Sequence, residues 1–166
     1  MKRALLLAVL VLPLMLPVSL HATPIFINEI HYDNAGGDTG EGVEIAGPAG
    51  SNMGGWSIVL YNGSGGVVYK TAARAGIITD QENGFGTLSF LIGGIQNATA
   101  GLPDGIALVD NGSNVIQFLS YEGAFAAAGG PAAGMTSVDI GVEESNTTTP
   151  IGHSLQLTGS GSEYED

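Results

Sequence analysis

The residues best placed for chemistry lie in one acidic loop, Asp33 to Glu44 (DNAGGDTGEGVE). Read as a twelve-residue calcium loop, it supplies side-chain oxygen at the first, ninth and twelfth positions, which are Asp33, Glu41 and Glu44. The third and fifth positions are Ala35 and Gly37, and Asp38 stands at the sixth, where the sharp turn requires glycine. An EF-hand is therefore excluded. Two readings are left: a weak, irregular calcium site built from Asp33, Asp38 and Glu41, and plain solvated turn carboxylates.

Other chemistry finds less support. His21, His31 and His153 are scattered, whereas a histidine-based zinc site needs three or four converging ligands. No G-x-S-x-G elbow, Walker loop or helix-leading G-x-G-x-x-G is present, and Gly63-Ser64-Gly65-Gly66 is turn glycine. Glycosidase work would need two carboxylates held across a cleft, and nothing in the spacing arranges them so. The expectation is no catalytic residues and no cofactor beyond weak calcium. Sequons at Asn62, Asn97, Asn111 and Asn146 fall in turns, where Asn and Ser occur anyway.

The elements that must carry these residues are strands. Ile27-Asn28-Glu29-Ile30 opens the series, and Glu41 to Ile45 follows with Val43 and Ile45 on one face and Glu44 on the other. Trp56 to Tyr61 comes third. Asn62-Gly63 then turns the chain into Val67–Thr71, since both residues tolerate positive φ. Gly76–Thr79 reads as a short strand, Phe85–Ile92 as a longer one with Leu88, Phe90 and Ile92 on a shared face. Asn111-Gly112 joins Ile106–Asp110 to Val115–Glu122. Gly123 to Gly134, nearly all Ala and Gly, reads as a crossing loop with little to bury and at most one helical turn. Thr136–Gly141 and Gly152–Thr158 are the last strand candidates. With 27 glycines, 12% charged residues and no convincing amphipathic helix, the chain predicts an all-β sandwich. The lone Trp56, following Gly54-Gly55, reads as the largest plug of its core.

Residues 1–22 read as a secretory signal peptide with its helix: Lys2-Arg3, then an apolar run from Ala4 to Leu16, then a Leu20-His21-Ala22 boundary. The run falls short of the roughly 20 residues a bilayer span takes. Residues 23–166 then form one domain, secreted to the exterior or the periplasm, starting at Thr23 and with no span of its own. Cysteine is absent, so packing alone must hold it. Losing Lys2 and Arg3 takes the net charge from −12 to −14, with only Lys70 and Arg74 against 16 acids. That balance disfavours direct binding to nucleic acid and suits divalent cations or basic extracellular partners. It names no partner.

The pattern Ile27-x-Glu29-Ile30, then Glu41-x-Val43-Glu44-Ile45, then Met53-x-Gly55-Trp56-x-Ile58 resembles the lamin-tail family. Members are immunoglobulin-like β-sandwiches found at the end of nuclear lamins and in secreted bacterial proteins. Asp104–Asp110 and Val115–Tyr121 look like the family's closing hairpin, so the resemblance covers Pro24 to Asp166. It implies Glu29, Glu44 and Trp56 as structural anchors. It also implies that one further aromatic-containing strand is missing, leaving an open edge at the opening strand or at Leu155–Leu157. Two functions follow as expectations. One is a non-catalytic secreted module for binding, tethering or domain interaction. The other, from the resemblance alone, is the N-terminal accessory part of a secreted nuclease or phosphatase whose catalytic domain is absent here.

Overall fold

The computed structural model describes residues 24–98, 102–159 and 161–164. The leader read over residues 1–22, with His21, and the last pair Glu165-Asp166 lie outside the described residues. The described residues form nine strands and no helix. They are β1 (Phe26–His31), β2 (Gly42–Pro48), β3 (Ser57–Asn62), β4 (Val67–Ala73), β5 (Phe85–Leu91), β6 (Asp104–Val109), β7 (Val115–Tyr121), β8 (Val138–Asp139) and β9 (Leu155–Gln156). One sheet has the order β5-β2-β1-β9 and the other β4-β3-β6-β7-β8, packed as an immunoglobulin-like, all-β sandwich.

The core follows from alternation, with one local adjustment. In β2, Val43 and Ile45 are buried between the sheets while Glu44 faces out. In β1, Ile27 and Ile30 are three apart, so strict alternation would place them on opposite faces. A bulge between Ile27 and Glu29 absorbs the extra residue, and both enter the core. Ile58, Leu60, Ile106, Leu108, Leu119 and Tyr121 meet them from the second sheet.

The central strands of the second sheet, β3, β6 and β7, are buried on both faces, which explains their unbroken apolar runs. Val59, Tyr61, Ala107, Val109 and Phe118 point away from the first sheet and pack against Phe125, Ala127 and Ala132. The Gly123–Gly134 run is thus a strap over the outer face, with turns and no helix, and the expectation that it buries little is overturned. Small residues let its backbone lie close: Ala128 N–H donates to Gly66 O at 2.8 Å and Ala132 N–H to the Tyr61 hydroxyl at 2.9 Å. At Gly66, with φ +63°, a β-carbon would sit 2.2 Å from the Ala126 carbonyl oxygen.

Other differences are smaller. Gly76–Thr79 forms no strand; Ile77 makes an isolated bridge with Asn52 and Ile78 is wholly buried. β1 is not an open edge, because β9 pairs with it at Glu29↔Gln156 and Ile30↔Leu155. Among the described residues, the unpaired outer edges on this side are those of β9 and of β8, which lies parallel to β7. On the opposite side the edge strands are β4 and β5. There Lys70 donates to Gly93 O, and the Arg74 guanidinium lies 5.1 Å from the centre of the Phe90 ring, tying β4 to the β5 strand and the loop after it.

Candidate functional site

Asn34, rather than a carboxylate, organises the acidic loop. Fully buried, it donates from Nδ2 to Ala35 O and Gly37 O, and its Oδ1 accepts from Thr39 N at 2.9 Å. That wraps the loop around one amide and brings Asp38 back toward Asp33. Asp38 accepts from Asn34 N and from Asn97 Nδ2. Asp33 is 5% exposed, and its Oδ1 has no hydrogen-bond partner among the described residues. Burial, and then the adjoining Asp38, hold its carboxyl above the usual range. Glu41 goes elsewhere, accepting from Gly94 N at 2.7 Å. Of the three residues read as a calcium site, the fold joins two and turns the third away. Among the described residues no three His, Cys, Asp or Glu side chains converge to hold a metal.

The buried carboxylate that ties this end together is Glu144. Its Oε2 accepts from the backbone N–H of Tyr32 at 2.5 Å and of Asp33 at 2.8 Å, and its Oε1 meets His31 Nδ1 at 2.8 Å. In return, Glu144 N–H donates to the Tyr32 hydroxyl at 2.7 Å. His31 Nε2 faces Thr39 O at 3.0 Å, so both ring nitrogens meet acceptors and the imidazolium is the form that satisfies both. Burial lowers the His31 pKa, but Glu144 and the Thr39 carbonyl outweigh it and the net shift is upward. This clasp fastens the segment after β8 to the end of β1. The sequence signal for it was slight: a histidine ending a strand, and Glu143-Glu144 far along the chain.

The remaining named residues lie apart from this loop, some hydrogen-bonded within the fold and others exposed. Glu29 and Glu44 are register partners across β1 and β2. Glu44 accepts from Asn28 Nδ2 at 2.9 Å and Ser89 Oγ at 2.7 Å, and Glu29 accepts from Ser154 Oγ. Trp56 precedes β3 and is half-buried against the core, whereas the largest fully buried side chains are Tyr32, Tyr61 and Tyr121. Tyr32 and Tyr121 stack with ring centres 3.8 Å apart, and burial pushes both phenols up. His153 is exposed ahead of β9. Asn62 and Asn97 spend their amides on Gln96 and Asp38, while Asn111 and Asn146 are exposed.

A different feature carries binding potential. Where β8 of one sheet faces β9 of the other, an apolar cleft of about 170 Å³ opens between the layers. Ile27 and Ile30 line it from β1, Leu119 from β7, Leu155 from β9, and Ile140 and Val142 from the segment after β8. Val142 is 55% and Leu157 45% exposed at its mouth. Beyond Val142 the surface becomes a depression lined by Glu122, Asp139 and Glu143. Burial, and then Glu143, hold the Glu122 carboxyl above its usual range. The clasp at Glu144 anchors this acidic lip. No helix among the described residues is long and apolar enough to cross a membrane.

No family model, curated protein or solved structure matches the chain.

Proposed function

We propose that this chain is an exported, non-catalytic module that binds or tethers another polypeptide at the open β8/β9 side of its sandwich. The observation that carries this reading is the asymmetry of the two sides. One has the seven-residue edge strands β4 and β5, bridged by the side chains of Lys70 and Arg74. The other ends in two-residue strands whose outer edges are unpaired among the described residues and flank a mainly apolar cleft. Unpaired edges beside apolar surface are where a further strand adds. The lamin-tail resemblance is compatible with such a role, since its motifs carry no chemistry.

The test is phage display of random peptides against the purified protein. Enriched peptides should lose binding to the Val142→Asp and Leu157→Asp variants and keep it with Leu91→Asp. Leu91 is 80% exposed but belongs to β5, at the opposite edge of its sheet. Absence of enrichment, or enrichment indifferent to both cleft substitutions, would rule the reading out.

A further inference from the structure

We infer that the occupant of this cleft is an extended segment with alternating apolar side chains followed by lysine or arginine, an inference that rests on the reading above. The shape of the cleft sets the first half of that description. Its two walls are the inner faces of sheets that pack roughly 10 Å apart, and its mouth is bordered by the edges of β8 and β9. A strand laid along either edge directs every second side chain between the sheets. A cavity of roughly 150 Å³ lined by aliphatic and aromatic side chains accommodates a benzene ring, so about 170 Å³ takes one or two aliphatic side chains rather than a helix. Ile27, Ile30, Leu119 and Leu155 offer such side chains apolar contact, while Asn28, Asp139 and Gln156 add polar groups to the lining.

Charge sets the second half. A segment leaving the cleft past Val142 meets Glu122, Asp139 and Glu143. The one lysine and one arginine among the described residues do not answer them, and His31 is held by Glu144. Lys70 and Arg74 are engaged on the far side of the sandwich, with Gly93 O and the Phe90 ring. Glu122 and Glu143 therefore repel each other across the lip, and an incoming ammonium or guanidinium would relieve both. An acidic segment or a nucleic-acid phosphate would add to the repulsion, so the same surface selects against those occupants.

Two synthetic peptides of equal length test this. Both carry the same alternating valines, and one continues with lysines where the other continues with glutamates. Calorimetric titration at low salt should show the lysine peptide binding roughly tenfold tighter or better, with the preference shrinking at about 0.15 M salt. The Asp139→Asn/Glu143→Gln variant should bind both peptides alike, and Leu157→Asp should bind neither. Equal affinity for the two peptides in the unaltered protein, with Leu157→Asp still abolishing binding, overturns the charge inference and leaves the cleft as the binding site. Binding of neither peptide, or binding unaffected by Leu157→Asp, overturns this inference and the proposed function together.

Discussion

Glu144 keeps its carboxylate out of water because the backbone N–H groups of Tyr32 and Asp33 and the ring of His31 replace the water it lost. Removing such a carboxylate leaves those donors, and a charge, unpaired in the interior. Glu144→Ala should therefore cost about 3–5 kcal/mol, read from denaturant melts. The conservative Glu144→Gln should instead lower the His31 pKa, as followed by NMR of the ring. The pH dependence has a definite sign. His31 titrates above its ordinary value in the folded protein, so its contribution is complete below about pH 6.5 and is lost as pH rises through the folded pKa. Asp33 is also shifted up, first by burial and then by Asp38, so its folded form holds a proton more tightly and it too favours the acid side. The melting temperature should fall between about pH 6 and pH 8, and His31→Gln should remove most of that slope. A melting temperature flat over that interval in the unaltered protein would contradict the charged clasp. The pairing itself was not legible in the sequence, because Glu144 lies more than a hundred residues from its partners and only the fold brings them together.

At the scale of elements, the sequence did disclose most strands, since period-2 alternation and Asn-Gly turns act locally. What it hid was the third layer. Ile58 to Tyr61 and Ile106 to Val109 are apolar on both faces, and a sheet that is apolar on both faces must be covered on both. The cover is the Ala/Gly run, whose composition looked too small to bury anything. Its contribution comes from close approach rather than from bulky side chains, and composition cannot report that. The Trp56 reading failed in degree for a related reason. The residue comes before β3, so its side chain reaches only the border of the core, whose interior is filled by tyrosines with backbone partners. Adjacent glycines test the strap. Gly65 has φ +94° with open space around it, so Gly65→Ala should cost only the left-handed backbone term of about 1–2 kcal/mol. Gly66→Ala bears a similar term and also drives a β-carbon against Ala126 O. It should melt clearly lower and speed amide exchange at Gly134, which donates to Ala127 O. Equal melting of the two variants would mean that the strap yields freely.

For the whole molecule the governing fact is an excess of carboxylates, 16 acids against four lysines and arginines, of which the described residues hold Lys70 and Arg74. Lys70 and Arg74 bind a carbonyl and a ring face, and the ion pair between described residues, His31–Glu144, is buried where salt screens little. Added salt therefore has few surface attractions to weaken and much self-repulsion to relieve. Raising NaCl from about 0.01 M to about 0.15 M, which contracts the Debye length from about 30 Å to about 8 Å, should raise the melting temperature at pH 7. The same comparison separates screening from specific binding at the acidic loop. With Glu41 turned to Gly94, Asp33 and Asp38 lack a third carboxylate, so CaCl₂ at matched ionic strength should add little to the NaCl effect. An extra rise with calcium that disappears in Asp38→Asn would restore the two aspartates as a cation site. A melting temperature that falls as NaCl is added would show that attraction, not repulsion, dominates the surface. The acidic lip beside Val142 would then lose its reason to select a basic partner.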